Sequence, residues 1–120
     1  MDAETMQKMC ALWQEILRLR DWLVVVREVG HDDLPPGVLG LTEASLERKE
    51  AVICLLRESE RPERDPLLAS SLEESLVHEL LHLHFEAFWD EDHKVQMEQT
   101  IQVLARALVR VASDTPGGQE

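Results

Sequence analysis

An apolar, valine-rich run at residues 22–29 constrains the fold most, because it interrupts a chain that is otherwise patterned as helices. The run begins at Trp22, and Gly30 closes it. Consecutive β-branched residues bounded by glycine are typical of a buried strand rather than of continued helix. The sequence therefore predicts a first helix that ends near Asp21 and a strand that follows it directly.

Three other segments have the apolar spacing of an amphipathic helix. The first covers residues 3–20, and its apolar face comprises Met6, Met9, Cys10, Trp13, Ile16 and Leu17. The second ends near residue 87 and begins either at an Asp-Pro pair, giving 65–87, or at a later capping box, giving 71–87. The third is predicted over residues 94–112.

Two further strands are expected at residues 38–42 and 51–56, where short apolar runs lie between polar segments. The segment 31–37 contains two prolines and other turn formers, so it is predicted to be a loop. The polar segment 43–50 is either a long hairpin loop or a helical turn. The elements together predict an α+β fold with a small three-stranded sheet between helices.

The length of 120 residues allows one compact domain with one modest core. We expect a single domain over residues 1–112, with an N-terminal helix, the sheet and two C-terminal helices. The tail at 113–120 includes a Pro-Gly-Gly sequence and is predicted to be disordered.

The charge balance narrows the class of partner. Twenty-four acidic residues against twelve basic ones give a formal charge of −12, which repels nucleic-acid phosphates and anionic membranes. The N-terminus lacks the pattern of a secretory signal, and no apolar run approaches the roughly 20 residues that span a bilayer. We expect a cytoplasmic protein without nucleic-acid or membrane partners, in which Cys10 and Cys54 are buried free thiols.

The second predicted helix contains the sequence His78-Glu79-Leu80-Leu81-His82. Two histidines four positions apart project about 40° from each other on one helical face, so both can reach one metal ion. Glu79 can then take a proton from a water molecule that zinc makes acidic. Composition alone can also produce this pattern by chance, so its context matters.

A catalytic zinc ion usually has three protein ligands and one open position. Glu98 is the best candidate for the third ligand, since it lies in line with Ile101 and Ala105 on the apolar face of the last helix. A carboxylate placed there must be paired or metal-bound. The alternative is that Glu98 is solvated near the N-terminus of its helix, where glutamate is favoured in any case.

The HExxH helix and the glutamate-bearing helix after it resemble those of the gluzincins, and in particular the small single-domain minigluzincins. The resemblance covers most of the chain and implies a zincin-like fold, peptidase activity and a zinc cofactor. It also implies that His78, His82 and Glu98 bind zinc and that Glu79 is the general base and acid.

The sequence departs from the gluzincin pattern in two respects. The interval from His82 to Glu98 is short, and Gln102 stands where larger members have an aspartate. The sequence after His82 also lacks the metzincin continuation, and Leu81 stands where peptide deformylases have aspartate.

The chain has no tyrosine to stabilise an oxyanion, so His93 in the acidic turn is the candidate for that role. The expected substrate is a peptide or protein, and the oligomeric state is left open. One alternative is an inactive zincin-fold interaction protein, and another is an acidic α/β module without a metal.

Overall fold

A computed structural model describes residues 1–114, which form three helices and one three-stranded mixed sheet. The helices are α1 (Ala3–Ile16), α2 (Leu72–Phe85) and α3 (Lys94–Asp114), and the strands are β1 (Leu23–Val29), β2 (Gly40–Ser45) and β3 (Glu50–Leu56). The predicted α+β class is confirmed. None of the helices in the described range has the length and apolarity needed to cross a membrane.

The last strand in sequence lies at the centre of the sheet, whose order is β1-β3-β2. β1 runs parallel to β3, with Leu23 opposite Glu50. β2 forms an antiparallel hairpin with β3, with Gly40 opposite Leu55. Because β3 lies between the other two, β2 becomes an edge strand.

The helices cover one face of the sheet. Val24, Val26, Ile53 and Leu55 alternate along β1 and β3 toward the helices and are buried, whereas Val25 on the opposite face is 39% exposed. α1 packs on β1, α2 packs on β2 and β3, and α3 packs on the outer side of α2. The position of α2 between the sheet and α3 places its polar side chains at the junction of both layers.

The first helix ends at Ile16, so the prediction that it continues to about Asp21 was wrong. Arg18 adopts a left-handed conformation with φ of 61°, and the Leu19 N–H donates to the Gln14 carbonyl. This reversal satisfies carbonyls at the helix end and buries Leu19 in the core. The apolar spacing continues past the end of the helix because the turn also directs an apolar residue, Leu19, into the core.

The second strand starts later than the predicted segment 38–42. The Val38 N–H donates to the Pro35 carbonyl, so a turn precedes the strand, which begins at Gly40. The strand extends through Ser45 instead, and a tight turn with Lys49 at φ 53° joins it to β3. The polar segment 43–50 is therefore a hairpin and not a helical turn, but the expected long loop is short: residues 46–49 form the turn, and the rest of the segment belongs to the strands.

The chain's C-terminal boundary also differs from the prediction. α3 continues through Ser113 and Asp114, so the first two residues of the predicted disordered tail are helical. The rest of that tail, residues 115–120, lies outside the described residues.

Both cysteines are free thiols, and they differ in environment. Cys10 is fully buried, as predicted, and burial raises its thiol pKa to about 11. Cys54 is only partly buried, because it lies on the sheet face that the helices leave open.

Candidate metal centre

The helix that carries the HExxH sequence begins at the later of the two predicted starts. The Ser71 hydroxyl accepts from the Glu74 N–H, and the Glu74 carboxylate accepts from the Ser71 N–H. Asp65 instead heads a separate turn that ends before the helix. The helix ends at Phe85, two residues before the predicted end, where the chain changes to short 3-10 turns.

The buried leucines and the partly exposed histidines of α2 show how the helix is oriented. Leu76, Leu80 and Leu83 are buried, whereas the side chains of His78 and His82 are 16% and 17% exposed. The two imidazole rings lie one turn apart with centroids separated by 5.2 Å. Both rings therefore face the same partly open space, as the four-residue spacing requires.

The structure brings Glu98 from α3 against both histidines. Its Oε1 atom lies 2.8 Å from Nε2 of His82 and 3.4 Å from Nε2 of His78. That oxygen is shielded from solvent and makes no other hydrogen bond within residues 1–114, whereas the Glu98 side chain as a whole is 43% exposed. Ile101 and Ala105, which share its helical face, are completely buried. Glu98 thus stands where the apolar periodicity predicted, and its role as a metal ligand stays a prediction.

Glu79 lies beside the histidines and is only 7% exposed. Its Oε1 atom accepts a hydrogen bond of 2.7 Å from the Thr42 hydroxyl on β2. Burial raises the pKa of the Glu79 carboxyl, and the hydrogen bond from Thr42 opposes that rise. Ligand atoms of His78, Glu79 and His82 all lie within 4.8 Å of one another, a spacing that could hold a metal ion.

Gly40 allows β2 to approach α2 this closely. A Cβ at position 40 would lie 3.1 Å from Oε2 and 3.3 Å from Cγ of Glu79, and 3.2 Å from Cδ2 of Leu55. Each of these distances is shorter than an ordinary van der Waals contact. The edge strand can therefore pack against the Glu79 side chain because residue 40 has no side chain.

These groups lie in a cleft of about 580 Å³ between β2, α2 and the start of α3. The loop and strand side is formed by residues 37–42, and α2 and α3 provide the opposite wall. Trp89 forms part of the rim, with its ring centroid 5.3 Å from that of His82. The cleft is open enough for a ligand to reach the imidazoles.

His93, the predicted oxyanion donor, is not among the described residues that line this cleft. It is exposed, and its Nδ1 lies 2.7 Å from Oδ2 of Asp90 in the turn before α3. Lys94, the next residue, does line the cleft. The structure therefore does not bring His93 to the other candidate residues, and its catalytic role stays a prediction.

Sequence reasoning missed the contributions of Thr42, Gly40 and Trp89. The strand was expected to end at Thr42, so neither strand residue was linked to the motif. Period-two alternation would have placed Gly40 and Thr42 on one face, but only the folded sheet shows that this face meets Glu79.

Fold and site together define a compact α+β domain with a His-Glu-His group that could hold a metal ion. Comparisons with protein-family models, curated proteins and solved structures find no match for this chain. Evidence for the function of this protein therefore comes from the geometry of the cleft.

Proposed function

We propose that this protein is a small zinc-dependent peptidase in which His78, His82 and Glu98 hold the metal. The proposal also assigns Glu79 as the general base. The observation that carries it is the convergence of two imidazole nitrogens on one Glu98 oxygen that is shielded from solvent. A shielded carboxylate oxygen needs a cation or a hydrogen-bond donor beside it, and a metal ion held by both imidazoles would supply one.

The donor set fits zinc in both chemistry and spacing. Two imidazole nitrogens and one carboxylate oxygen are a common ligand set of catalytic zinc, which keeps its fourth position open. Donors about 2.0–2.1 Å from a tetrahedral zinc ion stand about 3.3 Å apart. The Glu98 oxygen lies 2.8 Å and 3.4 Å from the two nitrogens, distances close to that separation.

A bound zinc ion supplies polarisation of a substrate carbonyl and lowers the pKa of a water molecule in its open position. Glu79 would accept a proton from the attacking water as the water oxygen bonds to the carbonyl carbon. It would then donate that proton to the amine nitrogen as the peptide C–N bond breaks. Thr42 holds one carboxylate oxygen of Glu79, which leaves the other for proton transfer.

The edge strand β2 offers a place for an extended peptide. Gly40, Leu41 and Thr42 line the cleft, and within residues 1–114 β2 pairs with β3 alone. Backbone groups on the other edge of a strand can hydrogen-bond to an added peptide strand. A peptide aligned there lies beside Glu79 and both histidines, which favours a peptide or protein as substrate.

The zincin-like classification of the fold belongs to the same proposal. A helix, a small sheet with an edge strand beside the HExxH helix, and a glutamate helix are the parts that the resemblance to gluzincins implies. The arrangement of α2, α3 and β2 around the cleft supports it.

The test combines metal content with peptide cleavage. Protein purified without chelator should contain near-stoichiometric zinc and cleave casein or a peptide library. Glu79→Gln should keep the zinc and lose the cleavage, because the amide cannot accept the proton. Glu47→Gln, an exposed residue in the β2–β3 turn, is the matched control and should behave as wild type.

Two outcomes would contradict the proposal. Absence of zinc after reconstitution would refute the metal centre and favour an acidic α/β module without a metal. Cleavage by Glu79→Gln at the wild-type rate would refute the assigned base.

A zinc-holding interaction protein without peptidase activity is the second candidate. The observation that favours it is the position of His93, which pairs with Asp90 instead of facing the cleft. Because the chain has no tyrosine, the cleft lacks both of the oxyanion donors considered from the sequence. Zinc binding by wild type without cleavage of any library peptide would select this alternative.

A further inference from the structure

His78 has a second ring nitrogen, and a residue outside the proposed ligand set contacts it. Nδ1 of His78 lies 2.8 Å from Oε1 of Gln102. Gln102 follows Glu98 by one helical turn on α3, and the opposite end of its amide donates to the Ser70 hydroxyl at 3.3 Å. One face of α3 thus carries both Glu98, a proposed ligand, and Gln102, which contacts the second ring nitrogen of His78.

The chemistry of this contact selects one tautomer of His78. An amide oxygen only accepts hydrogen bonds, so Nδ1 must carry the hydrogen. A neutral His78 then has its lone pair on Nε2, the nitrogen that faces Glu98. The opposite tautomer would direct an N–H group at the metal position and prevent ligation.

We infer that Gln102 is a positioning residue that fixes His78 in the Nδ1–H tautomer and so prepares Nε2 to bind a metal ion. The inference rests on the proposed zinc site, although the tautomer itself can be measured without metal. Partners that hold the second nitrogen of a ligating histidine orient the ring and set its basicity.

The connection before α2, which contacts Gln102 through Ser70, is itself anchored to α3. Arg106, one turn further along α3, donates to the carbonyls of Leu68 and Ala69 at 3.3 Å and 3.2 Å. Its Nε atom also contacts the Glu74 carboxylate of the α2 cap at 3.0 Å. The position of Ser70 relative to Gln102 is therefore fixed from both helices.

The neutral charge of Gln102 has its own consequence. Glu79 and Glu98 already provide two carboxylates, which balance one divalent cation. A carboxylate at position 102 would polarise the imidazole more strongly and raise its basicity as a ligand. The amide of Gln102 orients the imidazole without that extra charge. Gln102→Glu adds the charge and keeps an acceptor for Nδ1, so this variant is expected to bind zinc at least as tightly as wild type.

The tautomer is tested by long-range ¹H–¹⁵N correlation spectra of the metal-free protein. Wild type and Gln102→Glu should show His78 as Nδ1–H, and Gln102→Leu should shift it toward Nε2–H. Gln99→Leu is the matched control, because Gln99 is exposed on the same helix. Circular dichroism establishes that each variant is folded.

Zinc affinity, measured by competition with a chromophoric chelator, provides the second readout. Gln102→Leu should bind zinc about 10–100-fold more weakly, and Gln99→Leu should match wild type. An unchanged tautomer or an unchanged affinity in folded Gln102→Leu would overturn the role of Gln102. Failure of wild type to bind zinc would refute the proposed function, and the spectra would still decide whether Gln102 sets the tautomer.

Discussion

Thr42 and Glu79 join the edge strand of the sheet to the HExxH helix through a hydrogen bond of 2.7 Å from hydroxyl to carboxylate. The contact joins β2, the strand proposed to align a substrate, to Glu79, the residue proposed to transfer a proton from water to the leaving amine. It also satisfies a carboxylate that is almost fully buried.

Replacing Thr42 by valine should destabilise the protein, since the change preserves shape but removes the donor to a buried acceptor. Loss of a partner of this kind costs about 1–3 kcal/mol of unfolding free energy. Urea denaturation measures the effect, and Thr42→Ser, which keeps the hydroxyl, should retain most of the stability. A loss of stability in Thr42→Ser without a loss in Thr42→Val would show that the methyl group and not the hydrogen bond matters.

Gly40→Ala tests the close approach of β2 to α2. The added methyl group meets Glu79 and Leu55, and overpacking of this kind costs about 1–3 kcal/mol. The same substitution in a Glu79→Ala background should cost less, because two of the three short contacts are then absent. A double-mutant cycle by urea denaturation measures the difference, and strict additivity would contradict the proposed clash.

Zinc should raise the unfolding midpoint of wild type, because an ion that binds only the folded state stabilises it by mass action. At free zinc of about 100 times the dissociation constant the gain is about 2.7 kcal/mol. Glu98→Ala should abolish most of the shift in differential scanning calorimetry. Glu63→Ala, at an exposed site in the connection before α2, should respond like wild type, and a full shift in Glu98→Ala would exclude Glu98 as a ligand.

The pair of His31 and Glu60 predicts a pH dependence of stability. Their hydrogen bond raises the pKa of His31 above its ordinary 6.5 and lowers that of Glu60 below its ordinary 4.5. Asp32 reinforces the His31 shift and Arg57 opposes it, whereas Arg57 also lowers the pKa of Glu60.

The contribution of His31 is complete below pH 6.5 and is lost as pH rises through its raised pKa. The contribution of Glu60 is complete above pH 4.5 and is lost as pH falls through its lowered pKa. The stability difference between wild type and His31→Gln should therefore be largest between these pH values. Urea midpoints across the range measure it, and a difference independent of pH would contradict the ion pair.

Arg18→Gly tests the end of α1. A non-glycine residue in the left-handed region costs about 1 kcal/mol, so glycine at φ 61° should raise the unfolding free energy by up to that amount. Arg20→Gly, at an exposed neighbouring site without a positive φ, should give no gain. Stabilisation by both variants would argue against conformational strain at Arg18.

Local patterns were sufficient to predict most elements, because helix and strand periodicities reflect burial over a few residues. They failed at Arg18, where a left-handed turn continued the apolar spacing beyond the helix. They also failed at the start of β2, where Val38 joins a proline turn instead of the ladder. In both places a backbone turn bounds the element, and the side-chain pattern does not reveal that turn.

The spacing of His78 and His82 by itself determined that both imidazoles share one face of a helix, since α-helical geometry fixes that relation. The apolar line through Glu98 likewise indicated a carboxylate directed toward the core. Only the tertiary structure placed Glu98 beside the histidines and brought Thr42 and Gln102 to Glu79 and His78. Those contacts depend on strand order and helix packing, which join residues far apart in the chain and leave no local sequence pattern.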